Sequence, residues 1–382
     1  MAVSKKRVLI YSIAYYPHVG GAEIAVRKIT DGLKEVEWTM ITCDLQRNLP
    51  REEKIGNVLV QRIRCPKILF PFLAAWRGRR LYKKQPFDVV WSIMTYAGFA
   101  GLFLKLSFPR IKFLLTLQEG TPISQLKRKA FIVYPLFWLM FREADMIQAI
   151  SHFLADFGRS MGYSKEVVVV PNGVDLKYFS TAPKQADVLN LENNLGKKEG
   201  DIYLITTSRL VKKNAVDDCI RALKYLPVHF SFLIIGTGHE EQNLRALAKA
   251  LAVRERVKFL GFMPQQDIPL FLAVSSVFVR PSRSEGFGNS FIEAMAAGVP
   301  VVATPVGGIP DFIDDRETGV FCRPDNPKSV AEAVMEIIDN PYLKEKIIAQ
   351  GKERAIVDYS WDVIVKAMRE KVFDKLLSDY KL

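Results

Sequence analysis

Two doubly wound α/β domains are the fold this chain predicts, and three observations carry the prediction. The 382 residues exceed what one hydrophobic core usually serves. Short, uniformly apolar runs alternate with amphipathic stretches, the pattern of parallel strands covered by helices on both faces. A polar segment containing Pro and Gly, STAPKQADVLNLENNLGKKEG (180–200), separates two such series and reads as a link.

The elements follow in order. RVLIYSI (7–13) predicts a buried strand, then a glycine loop and a helix from about Ala22. DVVWSI (88–93), KFLLTLQ (112–118), DMIQAIS (145–151) and VVVVPNG (167–173) repeat the strand-then-turn signature. Beyond the link come DIYLITTS, FSFLIIGTG, VKFLGF, VFVRPS and VPVVAT, each ending in a turn. The last stretch, from Ser360, is amphipathic, with Trp361, Val365, Met368 and Phe373 near helical spacing, and suits packing on either domain. The expected division is 1–178 and 179–361, each of Rossmann type.

Composition excludes several classes. No uncharged apolar stretch reaches the eighteen or so residues of a membrane span; the longest are Val89 to Leu104 and Ala130 to Phe141. The N-terminus shows no cleavable signal pattern. Four scattered cysteines form no CxxC pair, which argues against a disulfide framework or zinc cluster and predicts a reducing, cytoplasmic setting. No Asp-x-Asp pair occurs, so no built-in metal site is expected. The net charge is +13, and residues 1–180 carry all of it, with 27 Lys and Arg against 14 Asp and Glu. One domain is therefore expected to meet an anionic partner.

Chemistry-bearing residues gather in five loops, each after a predicted strand. SRSEGFGNSFIEAMAAG (282–298) holds Glu285 in a glycine loop and Glu293 one turn into the following helix, with Asn289 or Ser290 as its cap. Gly286 and Gly288 let backbone approach a ligand, and the helix start suits a phosphate or sugar hydroxyl. Gly307 and Gly308 follow the next strand. Arg209, Lys212 and Lys213 stand where a diphosphate can be held. Gly236 and Gly238 end another strand, and Gly20 and Gly21 precede the first helix. Each loop alone fits a plain crossover equally well. Together they mark the carboxyl ends of the strands, the edge where open α/β sheets bind ligands.

The segment PSRSEGFGNSFIEAMAAGVPVVATPVGGIPD resembles the signature of the retaining glycosyltransferases of family 4, the group 1 glycosyl transferases, in which seven residues separate two glutamates. RLVKKN, IIGTG, VKFLGF, PHVGGAE and VVPNGVD extend the resemblance over essentially the whole chain. The resemblance implies the GT-B architecture: two Rossmann-like domains facing across a cleft, with the last helix (362–382) crossing back onto the first. It implies transfer from a nucleotide-diphosphate sugar with retention and without metal or other cofactor. Arg209 and Lys213, with Lys212 in reserve, would neutralise the diphosphate. Glu285 would hold donor-sugar hydroxyls, and Glu293 the ribose. Gly20, Gly21, Gly236, Gly238, Phe287, Gly288, Asn289, Gly307 and Gly308 would line the donor. The family's lysine position is Asn214 here, its following glycine is Ala215, and its N-domain histidine position is Gln118, followed by Glu119. Arg209 and Glu285 sit in loops, so truncating either is expected to leave the fold intact.

The family places the acceptor on the N-terminal domain, which here is the basic one. WRGRRLYKK (76–84) sets Arg77, Arg80 and Lys84 on one helical face, and Lys127, Arg128 and Lys129 precede the apolar run 130–141. These predict attachment to an anionic membrane, with a glycolipid or polyprenyl-linked acceptor. Tyr134, Pro135 and Trp138 fit a buried helix equally. A soluble acceptor, or a non-catalytic nucleotide-sugar binder, is the alternative. A nucleic-acid partner leaves the glutamate motif unexplained and is not expected.

Overall fold

The computed structural model describes residues 5–378, which form two compact units. The first comprises 5–172 with 362–378, and the second 173–361. The division falls between Asn172 and Gly173, six residues before the expected one. Residues 173–178 go with the second unit because Val174 N–H donates to the Tyr359 carbonyl at 2.7 Å and Gly173 lies against the Trp361 ring, where a Cβ would come within 2.7 Å.

The first sheet has eight strands: β1 (Arg7–Tyr11), β2 (Glu37–Cys43), β3 (Glu52–Ile55), β4 (Val58–Ile63), β5 (Val89–Ile93), β6 (Lys112–Leu117), β7 (Met146–Ala149) and β8 (Val168–Val169). Their order is β3-β4-β2-β1-β5-β6-β7-β8, and only β3 with β4 is antiparallel. The central strand β1 pairs Val8 with Trp38 on one side and Val89 on the other. A buried polar chain ties the far half together. Trp91 Nε1 donates to Thr116 Oγ1 and Thr116 to Gln148 Oε1, both at 2.8 Å, while Gln148 Nε2 donates to the Val170 carbonyl. Each member satisfies the next, so polar groups sit in the core without an unmet donor along the chain.

The second sheet is wholly parallel: β9 (Ile202–Thr207), β10 (Phe230–Ile235), β11 (Val257–Gly261), β12 (Val277–Arg280), β13 (Val301–Ala303) and β14 (Val320–Phe321), in the order β11-β10-β9-β12-β13-β14. Leu204, Ile234, Val279 and Val302 are buried in its core, as the uniformly apolar runs require. From β9 the chain winds one way to β10 and β11; from β12 it winds the other way. The topological switch therefore lies between β9 and β12, and the loops carrying Arg209 and Glu285 open beside it.

The expected link is a helix instead, Gln185–Leu195, closed by Gly196 in the left-handed region at φ 68°. It buries no residue, so no apolar periodicity announces it. The closing segment belongs to the first unit. Phe373 meets Trp38 edge-on at 5.2 Å and Trp91 at 5.3 Å, and Val365 fills the space left by Gly32.

Phe373→Ala should destabilise the first unit by about 3–5 kcal/mol, the usual loss for a buried aromatic. Denaturant unfolding followed by tryptophan fluorescence reads it, and a loss below about 1 kcal/mol would show that the closing segment is not anchored there.

Candidate functional site

Strand β12 ends in Arg280, a buried guanidinium. Its Nη2 donates to Glu285 Oε2 at 2.9 Å and its Nη1 to Ser290 Oγ at 2.7 Å, while its plane lies 4.3 Å from the Phe291 ring centre. Burial lowers the Arg280 pKa and Glu285 opposes that shift. The other oxygen of Glu285 accepts from Gly286 N–H at 3.0 Å and stands 3.7 Å from Lys213 Nζ. Glu285 is thus a carboxylate fixed between two cations.

Lys213 sits in a 3-10 turn, Lys212–Asn214, after β9. Burial lowers its pKa, Glu285 raises it, and the charges of Arg280 and the exposed Arg209 lower it again. Of the neighbouring side chains, Asn214 turns inward and its Nδ2 donates to the Arg209 carbonyl at 2.7 Å. Lys212 is exposed, so Lys213 is the lysine that meets Glu285. Ala215, where the family has glycine, holds φ 53°, a conformation that disfavours a side chain.

Arg283 joins the two loops. Its backbone N–H donates to the Lys213 carbonyl and its Nη1 to the Lys212 carbonyl, both at 2.7 Å. Asp217, Asp218 and Asp325 hold its guanidinium. Burial and then Asp217 push the Asp218 carboxyl up to about 6, against Arg283. No motif in the sequence pointed to Arg283 or to Arg280.

Several of the expected donor residues also make contacts within the second unit. Gly307 (φ 59°) lies so close to the Glu285 carbonyl that a Cβ would stand 1.8 Å from it, and Gly308 N–H donates to the same oxygen at 3.2 Å. This pair supports the Glu285 loop, and the Gly308 amide is spent on it. Gly236 N–H likewise donates to the Gly261 carbonyl at 2.7 Å. Gly238 passes against the Leu210 carbonyl, leaving 2.2 Å for a Cβ. The Phe287 ring is buried against Phe312 and Tyr359, at 5.2 and 5.6 Å, so only its backbone faces the loop. Neither Asn289 nor Ser290 caps the helix Asn289–Ala296; Gly288 takes the cap position at φ 112° and Ser290 serves Arg280.

Glu293 is partly buried, and its Oε1 accepts from Gln265 Nε2 at 2.7 Å. Burial pushes its carboxyl up to about 6, opposed by Gln265 and Arg280. In the first unit, Gly20 is the extended cap residue of the helix Gly21–Gly32, and the Glu23 carboxylate lies 2.8 Å from where a Gly20 Cβ would be. Gln118 is buried with Oε1 lacking a partner among the described residues. Glu119 beside it accepts from Thr95 N–H at 2.5 Å; burial raises its pKa and that hydrogen bond opposes. Among the described residues, no group of three or more His, Cys, Asp or Glu is placed to hold a metal ion.

Comparison with known proteins adds the family. Residues 187–354 match the glycosyl transferases group 1, and residues 19–178 match glycosyltransferase family 4. A GDP-mannose-dependent monoacylated alpha-(1-6)-phosphatidylinositol monomannoside mannosyltransferase of Corynebacterium glutamicum is 30% identical over 233 residues, 58% of this chain and 60% of that protein. The N-acetyl-alpha-D-glucosaminyl L-malate synthase of Bacillus anthracis is 28% identical over 273 residues, 71% and 70%. Among solved structures, sucrose-phosphate synthase from Thermosynechococcus elongatus superposes with a TM-score of 0.85 at 20% identity, covering 97% of this chain and 99% of that one.

The buried Arg280 corrects the expectation that Glu285 can be truncated without harm. Glu285→Ala strands a desolvated cation and should destabilise the second unit by about 3 kcal/mol. Arg209→Ala, at an exposed position, should stay within about 0.5 kcal/mol. Thermal unfolding of the two variants side by side checks the contrast; equal stabilities would contradict it.

Proposed function

This chain belongs to the group 1 glycosyl transferases of family 4, and we propose that it moves a hexose-type sugar from a nucleotide-diphosphate sugar to an acceptor, with retention and without a metal. The observation that carries the reading is the trio Arg209, Lys213 and Glu285 at the switch point. Transfer breaks the bond from the anomeric carbon to the diphosphate and forms one to an acceptor hydroxyl, whose proton leaves with the diphosphate. Negative charge grows on that leaving group. Arg209 and Lys213 meet it with positive charge already in place, the most effective form of transition-state stabilisation. Glu285, with both oxygens oriented, accepts hydrogen bonds from donor-sugar hydroxyls. Glu293 accepts from the ribose, and the backbone of Gly288 and Asn289 faces the donor.

The acceptor we infer is lipid-linked, in envelope glycolipid or polysaccharide synthesis, with the protein attached peripherally to the inner face of a membrane. The Corynebacterium relative is named for a phosphatidylinositol mannoside acceptor, and the basic first unit exposes Phe131 (79%) and Ile132 (92%), with Trp138 beside them. These exposures favour the surface reading of the run 130–141, although Phe137, Met140 and Phe141 are core; the Lys129 side chain lies outside the described residues. No helix among the described residues is long and apolar enough to cross a membrane. The malate synthase relative favours a second reading, a small soluble acceptor.

Thermal unfolding with UDP, GDP, ADP and their sugar conjugates, all in excess chelator, tests the donor half. One nucleotide series at a hundred times its dissociation constant should add about 2.7 kcal/mol, a shift of several degrees. No shift from any series would remove the metal-free diphosphate site. Affinity should also depend on pH. Glu293, pushed up to about 6, is a carboxylate above that pH and a weaker acceptor below it. Binding should weaken as pH falls through 6, and Glu293→Gln should flatten that profile; an unchanged profile would take Glu293 out of the donor site.

A further inference from the structure

The first unit holds a cavity of 340 Å³ that the proposed transfer site does not use. Arg51, Arg62, Arg64 and Arg77 line it together with Leu73, Trp76 and one carboxylate, Glu52. The four arginines are not equivalent. Arg62 is spent on structure: its Nη1 donates to the Pro50 carbonyl, its Nη2 to the Tyr16 carbonyl, and Glu53 pairs it. Arg64 gives Nε to Asp44 at 2.9 Å and Nη2 to the Leu49 carbonyl at 3.0 Å, which leaves its Nη1. Arg77 gives only Nε, to Gln61 Oε1 at 3.2 Å. The Arg51 side chain has no partner among the described residues. Glu52 is held by Gln61 Nε2 at 2.7 Å. Three guanidinium forks thus keep unused donors toward one cavity, a geometry suited to the tetrahedral oxygens of a phosphate ester.

The cavity wall continues into an apolar surface. Leu73 and Trp76 belong both to the cavity and to an exposed stripe with Ile68 (74% exposed), Leu69 and Phe72. Arg80 lies 3.6 Å over the Trp76 ring, at the edge of the stripe. Phe72 stacks on Phe103 at 5.3 Å, and Phe99 on the same helix, Met94–Ser107, meets Phe137 at 6.1 Å. The helix that carries the stripe and the helix Tyr134–Glu143, which follows the exposed Phe131 and Ile132 in the chain, therefore both pack on Met94–Ser107. A water-soluble phosphate needs the arginines and not the stripe. A lipid needs both: a headgroup to bridge the arginines and chains to cover the apolar residues beside them.

We propose that this cavity binds the phosphate group of an anionic membrane lipid. The inference rests on the membrane-attached reading above and gives it a specific headgroup site, separate from the donor loops. Vesicle flotation of the full chain tests it, with phosphatidylcholine alone and with phosphatidic acid included. Wild-type protein should float only with the anionic vesicles. Arg51→Gln/Arg77→Gln should bind them about thirtyfold more weakly. Lys34→Gln/Lys83→Gln, which removes equal charge from exposed positions of the same unit outside the cavity, should lose no more than about threefold. Equal losses from the two pairs would overturn the site in favour of diffuse attraction, and wild-type binding by the arginine pair variant would overturn it outright. Inorganic pyrophosphate that binds through Arg51 and Arg77, in a protein that never floats, would assign the cavity to a soluble phosphate and sink the lipid proposal. Nucleotide-induced thermal shifts should match wild type in both variants. If no nucleotide shifts any of the proteins, the transferase reading fails while the flotation contrast still stands or falls by itself.

Discussion

A buried guanidinium has to be answered, and the second unit is arranged around answering Arg280. Water cannot reach it, so its charge needs a carboxylate and its remaining N–H groups need acceptors. Glu285 answers Nη2 and Ser290 answers Nη1, the Phe291 face lies under the cation, and Nε alone is left without a partner among the described residues. Other features follow from that demand. Glu285 must leave the strand end and bend back, which brings its carbonyl onto Gly307 so tightly that no side chain fits there. With one oxygen held by Arg280, its other oxygen faces Lys213. Arg283 then clamps the lysine turn to the same loop through two carbonyls. The loops at the switch point are therefore bonded to one another by this chain's own groups, an arrangement in which fixed charges can stabilise a developing charge.

The sequence exposed the architecture of this unit more fully than its site. Mostly apolar runs such as FSFLII fit strands of a covered parallel sheet, and five of the six strands were legible from such runs. The sixth, Val320–Phe321, is two residues long and carries no period. In the first unit the Glu52–Ile63 hairpin escaped notice because β3 is a charged edge strand with exposed alternate residues. The helix Gln185–Leu195 escaped because it buries nothing. Glu285, Glu293 and Lys213 could be named from spacing and resemblance. The partners that give them their chemistry could not. Arg280 reads as the end of a strand, and Arg283 as a loop residue, because burial and a contact across 66 to 70 residues leave no local pattern. The glycines carry a constraint that spacing does not reveal: at Gly236, Gly307 and Gly308 this chain's own backbone approaches closely.

The first unit shows a different use of charge. Its excess of basic residues is not a uniform film. Arg62 is locked into the fold by carbonyls and a carboxylate, whereas Arg51, Arg64 and Arg77 keep donors toward a cavity. Aromatic residues exposed beside them carry the apolar half of an interface, and arginines stacked on Trp76 and Trp138 cover part of it. Gln118 and the buried Glu119 form a separate polar pair at the end of β6, where Glu119 fixes the start of the helix Met94–Ser107.

The central claim is a division of labour: Arg209 and Lys213 hold the diphosphate, and the fixed Glu285 carboxylate reads the sugar. Calorimetric titration of Glu285→Gln with a nucleoside diphosphate and with its sugar conjugate separates the two, because glutamine keeps an acceptor for Arg280. The account predicts nucleoside diphosphate affinity within about threefold of wild type and loss of the extra affinity that the sugar confers. Equal weakening of both ligands, or no weakening of either, would contradict it.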